Sequence, residues 1–380
     1  MAQQVMTKQG VVQGEVAAGF EGVRAEFERN FSERKELGAA VAVYYRGQKV
    51  VDLWGGIADH TTKRPWTAET MVNVFSTTKG VSSVAIAMAH SRGWLDYDER
   101  VATYWPEFAQ NGKENITVRQ LLSHQAGVCA LDEPLDLQKL SDPDVVAAAC
   151  AKQAPAWEPG TQHGYHGLTL GWYESELLRK IDPQHRTIGK FFQDEIAEPL
   201  GLSFYIGLPE GFDMTKVARI KGYQQWQMLF NLNKLPWRFV KGFLSPGSLT
   251  QRTFSNPAVL GEINRYNDWE MQRIELPAAN GTGTARSIAQ LYGELATGGQ
   301  ALGIKPETMA ELTAVPPAPL NGIEDQVLKI ETRFGLGYSK PSSNFQFGSG
   351  ESAFGTPGAG GSFGFADPEA QVGFAYVMNK

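Results

Sequence analysis

The chain has 380 residues, of which 42% are hydrophobic and 20% are charged. This composition is typical of a globular protein of about two structural units and excludes an intrinsically disordered chain. Thirty-five Lys and Arg residues against 41 Asp and Glu residues give a formal charge of −6, and the basic residues form no block. Because nucleic-acid binding requires a concentrated positive surface, we expect no nucleic-acid partner.

The first residues lack the continuous apolar run of a signal peptide, and no stretch approaches the ~18 consecutive apolar residues of a membrane span. The two cysteines, Cys129 and Cys150, belong to no metal-binding or redox motif, and we interpret them as reduced and buried. These features predict a cytoplasmic protein without a membrane span.

Strand patterns lie near both ends of the chain. An amphipathic helix is predicted over residues 16–37, and two β-prone runs within residues 38–59 flank a turn and predict a hairpin. Residues 362–379 show a similar pattern around an Asp-Pro turn, and residues 334–339 and 344–349 are further strand candidates. These strands predict a sheet built from the two chain ends.

The middle of the chain has helical patterns. Helices are predicted over residues 80–92, 116–127, 144–153, 168–180, 188–197 and 285–296, the last with Thr284 as its N-cap. The combination indicates an α+β protein in which residues 1–75 and 275–380 form a discontinuous sheet domain and residues 76–274 an inserted, mainly helical domain. Residues 223–249 are rich in aromatic residues without a clean period, and they form either a loop packed on the helical part or a cap over an apolar pocket.

The strongest local motif is VFSTTKG, residues 74–80, at the start of a nearly all-apolar helix. Ser76 and Lys79 are three residues apart and therefore project from one face of a helix. A serine hydroxyl needs a neighbour that takes its proton before it can act as a nucleophile, and Lys79 could be that base. The alternative, an N-cap serine and a solvated lysine, is disfavoured because a lysine at the root of a buried helix is costly unless it is paired.

A second candidate lies in WEPGTQHGYHG, residues 157–167, where a Pro-Gly turn leads to Tyr165 and His166. A phenolate is a competent base, but at neutral pH its pKa would have to fall by about three units. Lys79 is the cation that could lower it. The alternative is a tyrosine packed in the core.

The third candidate is FGTPGAGGS, residues 354–362, directly before a predicted strand. Clustered glycines allow a backbone to approach a ligand and to direct amides at an oxyanion. A plain tight turn is the alternative.

Other patterns carry less information. His163 and His166 have no third ligand close in sequence, which disfavours a zinc site, and we interpret His124 as a capping or packing residue. GTGTA at residues 281–285 lacks the βαβ context of a dinucleotide site, and no G-x-S-x-G motif surrounds a serine. We expect no metal and no organic cofactor.

The chain resembles the serine β-lactamase and penicillin-binding-protein superfamily along nearly its whole length. The resemblance rests on VFSTTKG, LLSHQAG, W-x-P-G before YHGLTLG, NGTGTARS, and GAGGSFGFADPE before GFAYVMN. It is strongest to the class C-like branch, that is, to the family VIII carboxylesterases and β-lactamase-related serine hydrolases. It implies a β-lactamase/transpeptidase-like fold, with an antiparallel sheet flanked by helices, a helical domain, and a site in the cleft between them.

The resemblance also implies roles for the candidate residues. Ser76 would be the acylated nucleophile, and Lys79 and Tyr165 would be the pair that moves protons. The Ser76 amide and an amide near Ala359 would form the oxyanion hole. Further substrate contacts are expected from Gly358, Gly360, Thr356 and His166.

The sequence departs from the family pattern in three places. β-Lactamases of this branch place Asn two positions after the tyrosine, where this chain has Gly167, and relatives begin the third box with Lys or His, where it has Thr356. Both losses disfavour lactam turnover and leave ester cleavage intact, and the missing cation weakens the support for a low tyrosine pKa. Relatives usually continue into a C-terminal helix, so a further helix is expected beyond Lys380.

We therefore predict a serine carboxylesterase that hydrolyses small-molecule, short-chain esters through an acyl-enzyme intermediate. One alternative keeps the site and changes the substrate, giving a β-lactamase, a D-amino-acid peptidase or an acyltransferase. The other alternative is a catalytically silent binding or assembly protein. The sequence leaves the oligomeric state open.

Overall fold

The computed structural model describes residues 5–7, 10–222 and 236–380. The strands in these ranges are β1 (Val5–Thr7), β2 (Gly10–Val16), β3 (Gly38–Tyr45), β4 (Gln48–Asp59), β5 (Arg64–Pro65), β6 (Val72–Asn73), β7 (Phe204–Tyr205), β8 (Thr282–Gly283), β9 (Phe334–Gly335), β10 (Tyr338–Ser339), β11 (Phe354–Pro357), β12 (Phe363–Asp367) and β13 (Val372–Met378). The main sheet is antiparallel and has the order β1-β2-β4-β3-β13-β12-β11-β10-β9, with β5 paired to β4. A small second sheet has the order β6-β8-β7.

The helices of the same ranges are α1 (Glu21–Ser32), α2 (Thr77–Ser91), α3 (Val101–Tyr104), α4 (Val118–Leu122), α5 (Leu137–Leu140), α6 (Pro143–Lys152), α7 (Thr169–Ile181), α8 (Ile188–Phe192), α9 (Glu198–Leu200), α10 (Trp237–Leu244), α11 (Leu249–Ser255), α12 (Trp269–Gln272), α13 (Ala285–Ala296) and α14 (Pro306–Thr313). Nearly every residue of α2 is buried, so this helix lies inside the larger core. No helix of the described ranges is both long enough and apolar enough to cross a bilayer.

The two ends of the chain meet in the middle of the main sheet. β3 and β13 pair antiparallel, with Val41 opposite Tyr376 and Ala39 opposite Met378. The hairpin predicted within residues 38–59 is β3 and β4, and the pattern over 362–379 is β12 and β13. The predicted α+β architecture, with one antiparallel sheet built from both termini, is therefore confirmed.

Helices cover both faces of this sheet. On one face α1 buries Phe27 and Phe31, because residues four apart lie on one side of a helix. On the other face α13 packs against β13, β3 and β12. Successive residues of β13 alternate between these cores, Tyr376 on the α1 side and Ala375 on the α13 side, as the geometry of a strand requires.

Two predicted helices are shorter than expected. The helix predicted over 16–37 covers only Glu21–Ser32, because Val16 ends β2 and the chain then turns at Gly19, which takes a positive φ of 91°. The helix predicted over 116–127 ends at Leu122, because His124 adopts a left-handed φ of 60° and closes the last turn. The other predicted helices correspond to α2, α6, α7, α8 and α13, where α8 continues as a π-helical turn over Gln193–Ala197, and the Thr284 side chain caps α13 as predicted.

The strand candidates before β11 were partly wrong. Residues 334–339 form two short strands, β9 and β10, because Leu336 and Gly337 take positive φ values and turn the chain back on itself. Residues 344–349 form no strand in the structure. Phe345 and Phe347 of that segment pack instead on Phe363 of β12. In the aromatic segment 223–249, residues 223–235 lie outside the described residues, and the remainder contains α10.

We expect Gly373→Ala to destabilise the protein by about 1–3 kcal/mol, the usual cost of overpacking a core. A Cβ on Gly373 would overlap the backbone of Gly293 in α13, so the contact between helix and sheet would have to open. Gly22→Ala is the matched control, because Gly22 is exposed on α1 with open space around it and alanine favours helices. Urea unfolding midpoints check both variants, and equal midpoints for Gly373→Ala and the parent protein would contradict the expectation.

Candidate active site

Ser76 stands at a sharp turn between β6 and α2. The residue before it, Phe75, has a positive φ of 47°, a conformation that costs a non-glycine residue about 1–2 kcal/mol. Phe75 is buried, and its ring contacts Tyr266 at a centroid distance of 5.0 Å. Ser76 is the N-cap residue of α2, yet its side chain caps no amide of the helix. Its half-buried hydroxyl therefore remains available to other groups.

Lys79 lies one turn further along α2, with only 1% of its surface exposed. Its Nζ donates to Ser76 Oγ (3.0 Å), to the Gly167 carbonyl (2.6 Å) and to the Ala278 carbonyl (2.9 Å), which matches the three donors of an ammonium group. Burial lowers the pKa of Lys79 to about 7, and the charge of Glu174 opposes part of this decrease. A neutral amine in this position can accept the Ser76 proton near neutral pH. Because Lys79 is buried, the alternative of a solvated lysine is excluded.

The Ala278 carbonyl reaches Lys79 because the chain before β8 packs tightly on α2. The Gly281 amide donates to Thr78 Oγ1 (2.9 Å), and the Gly281 carbonyl accepts the Val74 amide (2.8 Å). A Cβ on Gly281 would lie 2.6 Å from Thr78 Oγ1, so this approach requires glycine. The start of the GTGTA motif therefore serves close packing around the site.

Tyr165 lies beside Lys79, whose Nζ is 4.9 Å from the centroid of the tyrosine ring. Burial raises the pKa of Tyr165 to about 12, although a hydrogen bond with Ser76 acts in the opposite direction. Desolvation thus outweighs this hydrogen bond, and the phenolate considered from the sequence is not favoured. Tyr165 is a neutral phenol at neutral pH and can donate a proton.

Asp325 holds the backbone of Tyr165. Its buried carboxylate accepts the amides of Tyr165 (3.1 Å), Val327 (2.7 Å) and Leu328 (2.8 Å). Burial raises the pKa of Asp325 to about 6, and these amides act in the opposite direction. Because an unpaired buried amide is costly, the carboxylate fixes where the chain enters the site.

The histidines near Tyr165 are packed in the core. His124 Nδ1 accepts the His166 amide (3.0 Å), while His166 Nδ1 lies 2.7 Å from the Gly164 carbonyl and His166 Nε2 accepts the Val128 amide (3.2 Å). Both ring nitrogens of His166 therefore have backbone partners, and the side chain is buried. Its role here is structural, which corrects the substrate contact expected from the sequence. In the part of the chain that the structure describes, no three His, Cys, Asp or Glu side chains are arranged to hold a metal ion.

The glycine-rich segment after β11 is fixed beside the start of α2. Ser362 Oγ donates to the Val74 carbonyl (2.8 Å) and accepts from Thr77 Oγ1 (3.1 Å). Among the described residues, neither the Ser76 amide nor the Ala359 amide has a hydrogen-bond acceptor. Two free amides are the donors that an oxyanion hole requires.

The remaining candidates of this segment differ in accessibility. Gly360 is exposed and Gly358 is half-buried, and both belong to the turn that contains Ala359. Thr356 is buried, with its Oγ1 2.8 Å from the position that a Cβ on Gly80 would take. Thr356 thus packs against α2, which corrects its expected role as a substrate contact.

Glu174 of α7 is a second buried acid that the sequence analysis did not identify. Its carboxylate accepts Ser83 Oγ (2.6 Å) and Ser82 Oγ (3.3 Å), both on the turn of α2 after Lys79. Burial raises the pKa of Glu174 to about 8, and the two serine hydroxyls and Lys79 lower it. No clear sequence signal marked it, because the same helix also carries the charged residues Glu176, Arg179 and Lys180.

The structure thus brings Ser76, Lys79 and Tyr165 together. His166 and Thr356 are buried in the core. The groups missed in the sequence are of two kinds. The Gly167 and Ala278 carbonyls are backbone atoms, which no motif encodes. Glu174 and Asp325 are acids whose contacts with Ser83 and with Tyr165 span 91 and 160 residues of the chain.

Known proteins share this arrangement of elements. A model of the Beta-lactamase family matches residues 24–380. The esterase/beta-lactamase LipL of Mycobacterium tuberculosis is 36% identical over 367 residues, which cover 94% of this chain and 80% of LipL. A solved family VIII carboxylesterase has a TM-score of 0.85 at 36% identity, covering 97% of this chain and 94% of that chain.

A penicillin-binding protein homologue from Caulobacter crescentus has a TM-score of 0.83, also at 36% identity, with 97% of this chain and 94% of that chain covered. The sequence match to LipL and the structural matches each cover nearly the whole chain. The motifs predicted a resemblance over nearly the whole length. The chain therefore belongs to the β-lactamase family of serine hydrolases, in which its relatives include esterases and β-lactamases.

Proposed function

We propose that this protein is a serine carboxylesterase that hydrolyses short-chain esters through an acyl-enzyme intermediate. The observation that carries the proposal is the 3.0 Å hydrogen bond between Ser76 Oγ and the buried Nζ of Lys79. The activities named for LipL and for the family VIII carboxylesterase support the same chemistry. We also propose that the site lies between the sheet-bearing residues 1–75 and 275–380 and the mainly helical residues 76–274.

In acylation, neutral Lys79 accepts the Ser76 proton while Oγ forms a bond to the ester carbonyl carbon. The amides of Ser76 and Ala359 stabilise the charge that moves to the carbonyl oxygen. The ester C–O bond then breaks. Tyr165, a neutral phenol beside Ser76, donates a proton to the departing alkoxide and regains one from Lys79.

Deacylation follows the same route with water in place of the hydroxyl. Neutral Lys79 takes one proton from the water molecule as the water oxygen bonds to the acyl carbon, and it later returns this proton to Ser76 Oγ. The bond between Ser76 Oγ and the acyl carbon then breaks, Oγ recovers its proton, and the carboxylic acid leaves. The pair returns to its starting protonation state.

Two features favour esters over lactams as substrates. At Gly167, where related β-lactamases carry Asn, a Cβ would come within 2.9 Å of the Phe254 ring. At Thr356, where relatives carry a cation, the side chain is uncharged and buried. Faster cleavage of a chromogenic cephalosporin than of p-nitrophenyl butyrate would favour the β-lactamase alternative, and acylated products formed with an added alcohol would indicate acyl transfer.

Ser76→Ala is expected to lower kcat/KM for p-nitrophenyl butyrate by at least about 10³-fold, because the nucleophile is removed. The variant should also lose covalent labelling by a fluorophosphonate, as read by intact mass spectrometry, while its circular dichroism is unchanged. Ser32→Ala, an exposed serine of α1, serves as the control with full activity. Undiminished turnover by Ser76→Ala would remove the nucleophile assignment, and a parent protein that neither labels nor turns over would support a catalytically silent module.

The value of kcat/KM is expected to rise with pH through about 7. Below this value Lys79 is protonated and cannot accept the Ser76 proton, and above it the neutral amine dominates. Because methionine has no titratable group, Lys79→Met should lower kcat/KM by at least about 10²-fold and should lose this rise near pH 7, with circular dichroism unchanged.

Glu176→Gln is the matched control for the pH profile. Glu176 of α7 pairs with Arg179 at 2.8 Å, so its removal should leave the rise near pH 7 in place. A rise through about pH 7 that persists in Lys79→Met would show that Lys79 is not the group that titrates.

A further inference from the structure

An aromatic wall, which we define as Phe239, Phe243 and Phe254, begins beside the catalytic residues and has no part in the proposed mechanism. The Phe254 ring centroid is 6.5 Å from that of Tyr165, 6.2 Å from Phe239 and 6.4 Å from Phe243. All three side chains of the wall are partly exposed. They therefore present an apolar surface that folding leaves incompletely buried.

The wall starts at the backbone that holds the catalytic amine. Cε1 of Phe254 lies 2.9 Å from the position that a Cβ on Gly167 would occupy, so the ring covers this glycine directly. The carbonyl of the same glycine accepts Lys79 Nζ at 2.6 Å. An ester bound at Ser76 would therefore lie close to the apolar Phe254 ring, since Gly167 alone separates this ring from Lys79.

The wall is a fixed surface. In α11, Thr250 Oγ1 donates to the Val327 carbonyl (2.8 Å), in the loop whose Asp325 holds Tyr165. After α11, Asn256 Nδ2 donates to the Glu133 carbonyl (2.7 Å). A Cβ on Gly242 of α10 would lie 2.8 Å from Thr250 Oγ1, so α10, which carries Phe239 and Phe243, packs tightly on α11.

We propose that Phe254 is a selectivity-determining residue whose ring, extended by Phe239 and Phe243, binds an apolar chain of the ester substrate. This inference rests on the proposed function and narrows its substrate class to esters with an apolar chain of several carbons. Burying one methylene changes an equilibrium by about fourfold (about 0.8 kcal/mol). A chain that lies along the wall therefore raises kcat/KM by about this factor for each methylene in contact.

The test compares two substrate series on the parent protein and on Phe254→Ala. In the first series the acyl chain of p-nitrophenyl esters grows from acetate to hexanoate, and in the second the alcohol of alkyl acetates grows from methyl to hexyl. In Phe254→Ala the ratio of kcat/KM for the long over the short substrate should fall about fifteenfold in one series, which corresponds to the loss of contact with about two methylenes. The series that changes identifies which side of the ester the wall binds.

Phe20→Ala is the matched control, because Phe20 is also half-buried but packs on Tyr45 at 5.8 Å, on the α1 side of the sheet; its ratios should equal those of the parent. Phe254→Leu, which keeps apolar bulk without the ring, should give an intermediate ratio. If the alanine variant fails to fold, the ratio in Phe254→Leu tests the inference instead. Ratios that are unchanged or increased in both series overturn the inference alone. A parent protein that hydrolyses no ester overturns the proposed function and this inference together.

Discussion

The buried amine of Lys79 is the constraint on which the rest of the site depends. Removing an ammonium group from water costs several kcal/mol unless acceptors surround it, and its three acceptors belong to three separate stretches of chain: Ser76, Gly167 and Ala278. The fold must therefore bring the start of α2, the start of α7 and the approach to β8 to one nitrogen atom. The same burial that imposes this convergence lowers the pKa of Lys79 to about 7, so the structural cost and the basicity on which the proposed mechanism depends have one origin.

Backbone strain near the site is maintained by packing. Phe75 and His124 both take left-handed φ values that favour glycine, and each does so where the chain must turn sharply. At Phe75 the turn presents Ser76 at the N-terminus of α2, and at His124 it ends α4 and places an imidazole nitrogen to accept the His166 amide. Strain of this kind persists only where the surroundings over-determine the conformation, and both side chains are buried.

Substrate preference lies in the groups around the reacting atoms. A scaffold of this kind supports several chemistries when the residues beside a shared nucleophile change, and here Gly167 and Thr356 stand at two positions where β-lactamase relatives are polar or charged. The space next to Gly167 is filled by the Phe254 ring. An apolar surface in the place of amide and cation contacts is consistent with the proposed preference for esters.

The sequence by itself determined the features that depend on neighbours a few residues apart: the hairpin of β3 and β4, the cap of α13, and the spacing that puts Ser76 and Lys79 on one face of α2. The strand patterns near both ends of the chain also predicted the sheet formed from both chain ends. The tertiary structure alone decided the protonation of Tyr165 and Lys79, the support from Asp325 and Glu174, and the inward orientation of His166. Lys79 meets Gly167 across 88 residues and Ala278 across 199. Since desolvation and such contacts depend on the packing of distant segments, no local pattern encodes them.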